Sequence, residues 1–149
     1  MIKIEYPAYQ PKIKDQLGKE FIFDEIRKQW IMLTPEEWVR QNFLQYLIQV
    51  KKYPSSLIAV EKEIQLGELA KRFDIVVYDQ NTKPCMIIEC KEMGVALNEQ
   101  VLNQALRYNI TLNVPYIVIT NGTHCFGFSA KKGVLEELSE LPDFTIKSP

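Results

Sequence analysis

Asp74, Glu89 and Lys91 have the strongest claim to chemistry in this chain. They border two apolar runs within residues 71–91, KRFDIVVYDQNTKPCMIIECK. Asp74 opens the run IVVY, and Glu89 and Lys91 close the run CMIIECK. Charge at the end of a strand meant for burial is unfavourable unless it is paired or binds a metal. Glu89 and Lys91 are two apart, so on a strand they share a face, while Cys90 points to the opposite, core face. The intervening DQNTKP is turn chemistry, and a hairpin there returns Asp74 beside Glu89. Two neighbouring carboxylates repel, and a hard divalent cation relieves the repulsion. With an ammonium alongside, the set suits metal-assisted phosphodiester hydrolysis. The ion acidifies water and neutralises phosphate charge, and Lys91 orients the nucleophile or stabilises the pentavalent transition state. A salt bridge from Lys91 to either acid would use the same residues. The pattern of acid at one strand head and acid-x-lysine at the next strand tail is an odd way to build one.

These side chains need elements to hold them. LTPEEWVRQNFLQYLIQVKKYP reads as a helix that stops before Pro54. Thr34 is its N-cap, Pro35 suits its first turn, and Val39, Phe43, Tyr46, Leu47 and Val50 recur at helical spacing. Spacing puts Glu36 on the inward side with Val39 and Phe43. Glu37, three residues after Thr34, is the capping residue and points away. A dipole partner in the first turn is an equal use for Glu36. SLIAVEKEIQL, FDIVVYD and CMIIECK read as three strands, with Ile58, Val60 and Ile64 inward on the first. NEQVLNQALRYNITLN reads as a second helix with Asn98 as N-cap. PYIVIT and THCFGFS are two further strands around an Asn-Gly turn. The all-apolar strands predict a sheet covered on both faces. A helical crossover at 98–113 makes the third and fourth strands parallel. Gln104 and Tyr108, four apart, share a face of the second helix that either reaches the site or is simply exposed.

The 149 residues are expected to form one domain: an arm or hairpin over 1–33, a core over 34–130, and a short helix and tail over 131–149, the helix near GVLEELSEL. A net charge of −1 announces neither nucleic acid nor membrane. The basic pairs, Lys12 and Lys14 or Lys71 and Arg72 among them, read as solvated faces. Three cysteines in apolar contexts read as free thiols of a reducing, cytoplasmic compartment. One histidine makes a Cys/His metal cluster an implausible reading, and no apolar stretch is long enough to span a membrane.

In this order and spacing, Asp74, Glu89-Cys90-Lys91 and Gln104-x-x-x-Tyr108 resemble the PD-(D/E)XK nuclease superfamily. LTPEEWVRQNFLQYLI, KRFDIVVYD, IIECK and PYIVITNG resemble more narrowly the N-terminal nuclease domain of type I restriction enzyme R subunits, in a stand-alone form. The likeness covers about residues 30–130. It implies an α/β fold with a restriction-endonuclease-like three-layer core, a central mixed sheet flanked by helices. It implies a Mg²⁺-dependent (or Mn²⁺-dependent) DNA endonuclease, with Asp74, Glu89 and the Cys90 carbonyl as metal ligands and Lys91 as the catalytic lysine. Gln104 and Tyr108 match the glutamine-x-x-x-tyrosine motif of RecB-like nucleases. Glu36 matches the first-helix acid, with Arg40 four residues on. The family proline is absent, since Arg72-Phe73 precedes Asp74. These residues hold no glycine-rich P-loop, so a restriction-system or helicase/ATPase motor would act in trans. The competing expectation is a catalytically silent module on the same fold that binds nucleic acid or another protein.

Overall fold

The computed structural model describes residues 1–109, 112–130 and 134–146, apart from the side chains of Leu66, Leu69, Tyr108 and Asn109. The chain opens with three antiparallel strands, β1 (Ile13–Gln16), β2 (Lys19–Asp24) and β3 (Gln29–Met32). The hairpin expected within residues 1–33 is β2–β3, and β1 adds a third strand to it. Helix α1 (Pro35–Gln45) follows, capped as expected: the Thr34 hydroxyl accepts from the Glu37 amide at 3.0 Å. It runs on into a π-helical turn, Tyr46–Val50, and is finished before Pro54.

Next come β4 (Ile58–Leu66), β5 (Leu69–Tyr78) and β6 (Pro84–Cys90), then α2 (Glu99–Asn109), β7 (Tyr116–Thr120), β8 (Cys125–Ser129) and β9 (Glu136–Leu138). Asn98 caps α2, its side-chain oxygen accepting from the Val101 amide at 3.0 Å. Strands β4 to β9 form one mixed sheet in sequence order. The pair joined by the α2 crossover, β6 and β7, is parallel, and the other pairs are antiparallel. At the Asn121-Gly122 turn, Gly122 has φ +89° and a Cβ there would lie 3.1 Å from Val39. Both backbone and space call for glycine.

Helix α1 packs Val39, Phe43, Leu44 and the turn residue Leu47 on Ile75, Val77, Ile88, Cys90 and Val118. The opposite sheet face gathers Phe73, Val76, Ile87 and Ile117 under Leu106 of α2. The runs IVVY, MII and YIVI are apolar throughout because both faces are covered. Each fully buried Ile or Val contributes about 1.5–3 kcal/mol. No helix among the described residues is long and apolar enough to cross a membrane.

The short helix expected near 133–141 does not form in the described part of that segment. Residues 136–138 are strand β9, paired with β8 through Gly127↔Leu138, Phe128↔Glu137 and Ser129↔Glu136. Leucine spacing there mimics a helix, but β8 offers an unpaired edge that the segment satisfies. Leu138 and the fully buried Leu141 then close over Gly127.

Candidate functional site

The site is built where the sheet opens. The β5–β6 ladder ends at Ile75↔Ile88. One residue further, the Asp74 carboxylate replaces the ladder, and its Oδ2 accepts from the Cys90 amide at 2.8 Å. On the other side of β5, pairing with β4 lapses between Val60↔Ile75 and Lys62↔Phe73, opposite Asp74. The β4 residue there, Glu61, has φ +53°, a region that residues with side chains rarely enter. The irregularity switches the faces: Ile58, Val60, Ile75 and Val77 face α1, whereas Ile64 and Phe73 belong to the opposite cluster. Strict alternation would put Phe73 and Ile75 on one side. Asp74 stands at the switch and is reached from both layers.

From the α1 side comes Arg40, only 6% exposed. Its Nη2 donates to Asp74 Oδ1 at 2.9 Å and lies 3.1 Å from Glu61 Oε1 and 3.7 Å from Glu36 Oε1. Its Nη1 donates to Glu37 Oε1 at 3.0 Å. Behind it, Glu37 accepts from Arg27 Nη2 and Gln41 Nε2. Asp24, fully buried, takes Arg27 Nε at 2.7 Å and Gln41 Nε2 at 2.8 Å. Burial alone would raise the Asp24 pKa, but these bonds and that from the Arg27 amide hold it below the usual range. A chain of alternating charges thus runs from the N-terminal sheet through α1 to Asp74.

Glu89 meets Asp74 from β6. Its Oε1 is buried, with Lys71 Nζ at 3.2 Å and no aligned hydrogen-bond donor. Burial pushes the Glu89 carboxyl up to about 7, and Asp74 adds to the rise through a hydrogen bond to the protonated form and like charge, against an opposing contribution from Lys71. The Glu36 carboxyl is also raised, first by burial and then by the Asp74 charge, while Arg40 and Lys91 oppose the rise. Lys91 is exposed, and its amide donates to the Thr120 carbonyl at 2.8 Å, extending the β6–β7 pairing. It makes no ion pair among the described residues.

The pKa of Glu89 carries a stability consequence of definite sign. A carboxyl raised on folding contributes stability fully present below its unfolded value near 4.5 and lost as pH rises through about 7. Glu89→Gln escapes that loss. In EDTA, its stability relative to the parent chain is expected to grow between about pH 5 and about pH 8, by at most about 3 kcal/mol. Melting curves across that range check it, and a constant difference would count against the raised pKa.

One expectation is corrected, that for Glu37. Glu37 does not point away and its carboxylate is not a cap; it is 5% exposed inside the Arg27–Arg40 network, whereas the Glu36 side chain is 49% exposed. The turn after β2 brings Asp24 and Arg27 against that side of α1, which helical spacing cannot foresee. Cys90 is buried and its thiol is raised well above its ordinary range, by burial first, so the thiol is a poor ligand and only its carbonyl is available. Gln104 is exposed on α2 in a surface groove with Asn98, Gln100, Asn103 and Arg107. No hydrogen bond joins it to Asp74, Glu89 or Lys91 among the described residues. The side chain of Tyr108 lies outside the described residues. Sequence reading missed Lys71, Glu61 and Asp24 as partners. For the Glu36, Glu37 and Arg40 group the signal was present, in the three- and four-residue spacing on α1.

The donor set suits a hard divalent ion: carboxylates at Asp74, Glu89 and Glu36, and a backbone carbonyl at Cys90, all oxygen. Its arrangement is a charge-balanced one, with Arg40 against Asp74 and Lys71 against Glu89. Among the described residues, no three His, Cys, Asp or Glu side chains stand ready to hold a metal. An ion would have to take the place of one of these cations.

No curated protein matches this chain. Among solved structures it is similar to a fragment assigned as an HsdR subunit of a type I restriction enzyme from Vibrio vulnificus YJ016. The TM-score is 0.53 and the identity 18%, over 74% of this chain and 24% of that one. A protein assigned as a nuclease of the DUF820 group from Anabaena variabilis ATCC 29413 aligns with TM-score 0.48 and 14% identity, over 96% of this chain and 84% of that one. This chain spans about a quarter of the Vibrio protein's length. The fold is the restriction-endonuclease-like α/β fold expected from the resemblance. Residues 35–142 match the family described as the type I restriction enzyme R protein N terminus, and the chain belongs to that family.

Proposed function

We propose that this chain is a divalent-metal-dependent DNA endonuclease domain, with 34–130 as its nuclease-like core, working beside a restriction-system or ATPase partner in trans. One observation carries the reading: Asp74 Oδ2 accepts from the amide of Cys90, the neighbour of Glu89, at 2.8 Å, so the two carboxyl groups stand at one end of the sheet. Asp74, Glu89 and the Cys90 carbonyl would hold Mg²⁺ or Mn²⁺, with Glu36 beside them. When bound, the ion would supply an acidified water and neutralise phosphate charge. Lys91, exposed at the end of β6, orients the attacking water or faces the charge that grows on phosphate. Gln104 is assigned to the phosphate or the water, and Tyr108 is kept as the second residue of the motif it matches.

Metal binding requires Glu89 ionised, so it expels a proton below about pH 7. Apparent Mn²⁺ affinity is therefore expected to fall by up to about tenfold per pH unit below that point. Calorimetric Mn²⁺ titrations of the parent chain and of Asp74→Asn, over about pH 6 to 8, test the reading. Absence of heat from folded parent protein, or equal affinity in Asp74→Asn, would sink it.

A second reading is a catalytically silent module that binds nucleic acid or another protein. It is favoured by one observation, that Asp74 and Glu89 already have Arg40 and Lys71 as counter-ions. DNA binding indifferent to Mn²⁺, without nicking of plasmid, would select it.

A further inference from the structure

We propose that the outer face of the N-terminal sheet is a platform for single-stranded nucleic acid. This sheet lies before the residues that match the family, and the inference goes beyond the nuclease reading without needing its metal.

Register sorts the strand residues into two faces. Ile22 and Asp24 are fully buried and turn toward α1. The alternate positions turn outward: Lys14 stands opposite Phe21, Gln16 opposite Lys19, Phe21 opposite Met32, and Phe23 opposite Trp30. Lys12 joins them, its carbonyl accepting from the Phe23 amide at 3.0 Å. Trp30 and Met32 are 39% and 45% exposed, large for apolar side chains side by side.

Cations lie on the rings. Lys14 Nζ is 4.5 Å from the Trp30 ring centre and Lys12 Nζ 5.7 Å from that of Phe23, while the two rings meet edge-on at 5.4 Å. The strand residues of this face include three positive charges with Lys12 and no acid. Glu25, in the turn beyond β2, borders it at 4.0 Å from Lys12. An apolar partner would not select this charge, and a duplex keeps its bases stacked out of reach of the rings. Unpaired bases stacking on Trp30 and Phe23, with the lysines released onto phosphates, match both the chemistry and the sign.

Fluorescence anisotropy of a labelled oligothymidylate of about 15 nucleotides, in EDTA at low salt, tests the proposal apart from metal and cleavage. The parent chain is expected to bind with a log–log salt slope of roughly −2, from three lysines. Trp30→Ala is expected to weaken binding by about tenfold, and Lys14→Glu at least as much, with melting and Mn²⁺ binding retained. A duplex of equal length should bind less tightly. Failure of the parent chain to bind, equal affinity in Trp30→Ala, or equal preference for duplex would overturn the proposal. So would a dimer in sedimentation that Trp30→Ala dissolves, since a second copy would then cover the face. If Trp30→Ala binds Mn²⁺ but not oligonucleotide, the platform stands; if the parent chain binds oligonucleotide but never Mn²⁺, only the metal-dependent reading falls.

Discussion

Lys91→Ala is expected to lower Mn²⁺-dependent plasmid nicking by about 10²–10³-fold, while stability changes by no more than about 0.5 kcal/mol. The asymmetry separates the two uses of this lysine. Lys91 is exposed and has no ion pair among the described residues, so the fold loses little when the ammonium goes. The reaction loses a cation at the end of β6 that no carboxylate engages in an ion pair among the described residues. Nicking assays beside melting curves decide it. A variant that melts well below the parent chain would make Lys91 a structural residue, and unchanged nicking would remove it from the chemistry.

Arg40→Met is expected to behave in the opposite way, destabilising the fold by about 3–5 kcal/mol, or roughly 10 °C in melting temperature. Arg40, Glu37 and Asp74 are 6%, 6% and 14% exposed in their side chains, so the substitution strands carboxylates in a poorly solvated place. The apolar stem of Met keeps much of the packing, which isolates the charge. Mn²⁺ is expected to raise the melting temperature of this variant more than that of the parent chain, because the ion would replace the missing cation beside Asp74. Melts in EDTA and in Mn²⁺ measure both effects. A variant melting with the parent chain would show that the Arg40 network contributes nothing, and an equal Mn²⁺ shift would show that Arg40 and the ion do not compete. Arg40→Lys should recover only part of the loss, since one ammonium cannot donate to Glu37 and Asp74 in the geometry of the guanidinium fork.

Both results turn on partners far apart in the chain. Arg40 reaches Asp74 across 34 positions and Asp74 reaches the Cys90 amide across 16. Nothing in a local window links such residues. The same limit explains the misplacement of Glu37. Spacing on α1 orders its faces correctly for Val39 and Phe43. It cannot say that Asp24 and Arg27 will be packed against the side where Glu37 stands. The leucines of 134–141 failed in a related way, since their spacing fits a helix and only the open edge of β8 makes them a strand.

Residues within about four positions of each other determined a good deal by themselves: the Thr34 and Asn98 caps, the end of α1 before Pro54, the hairpin at 79–83, the Asn121-Gly122 turn, and apolar runs that demand cover on both faces. These rest on backbone preference, caps and periodicity, which a chain carries wherever it goes. Tertiary structure decided what surrounds each charge: Arg40 on Asp74, Lys71 on Glu89, the break at Glu61 that turns β5 over, and a Glu89 carboxyl lifted to about 7. Solvation and Coulomb energy depend on distances through space, and a linear order of residues does not contain them.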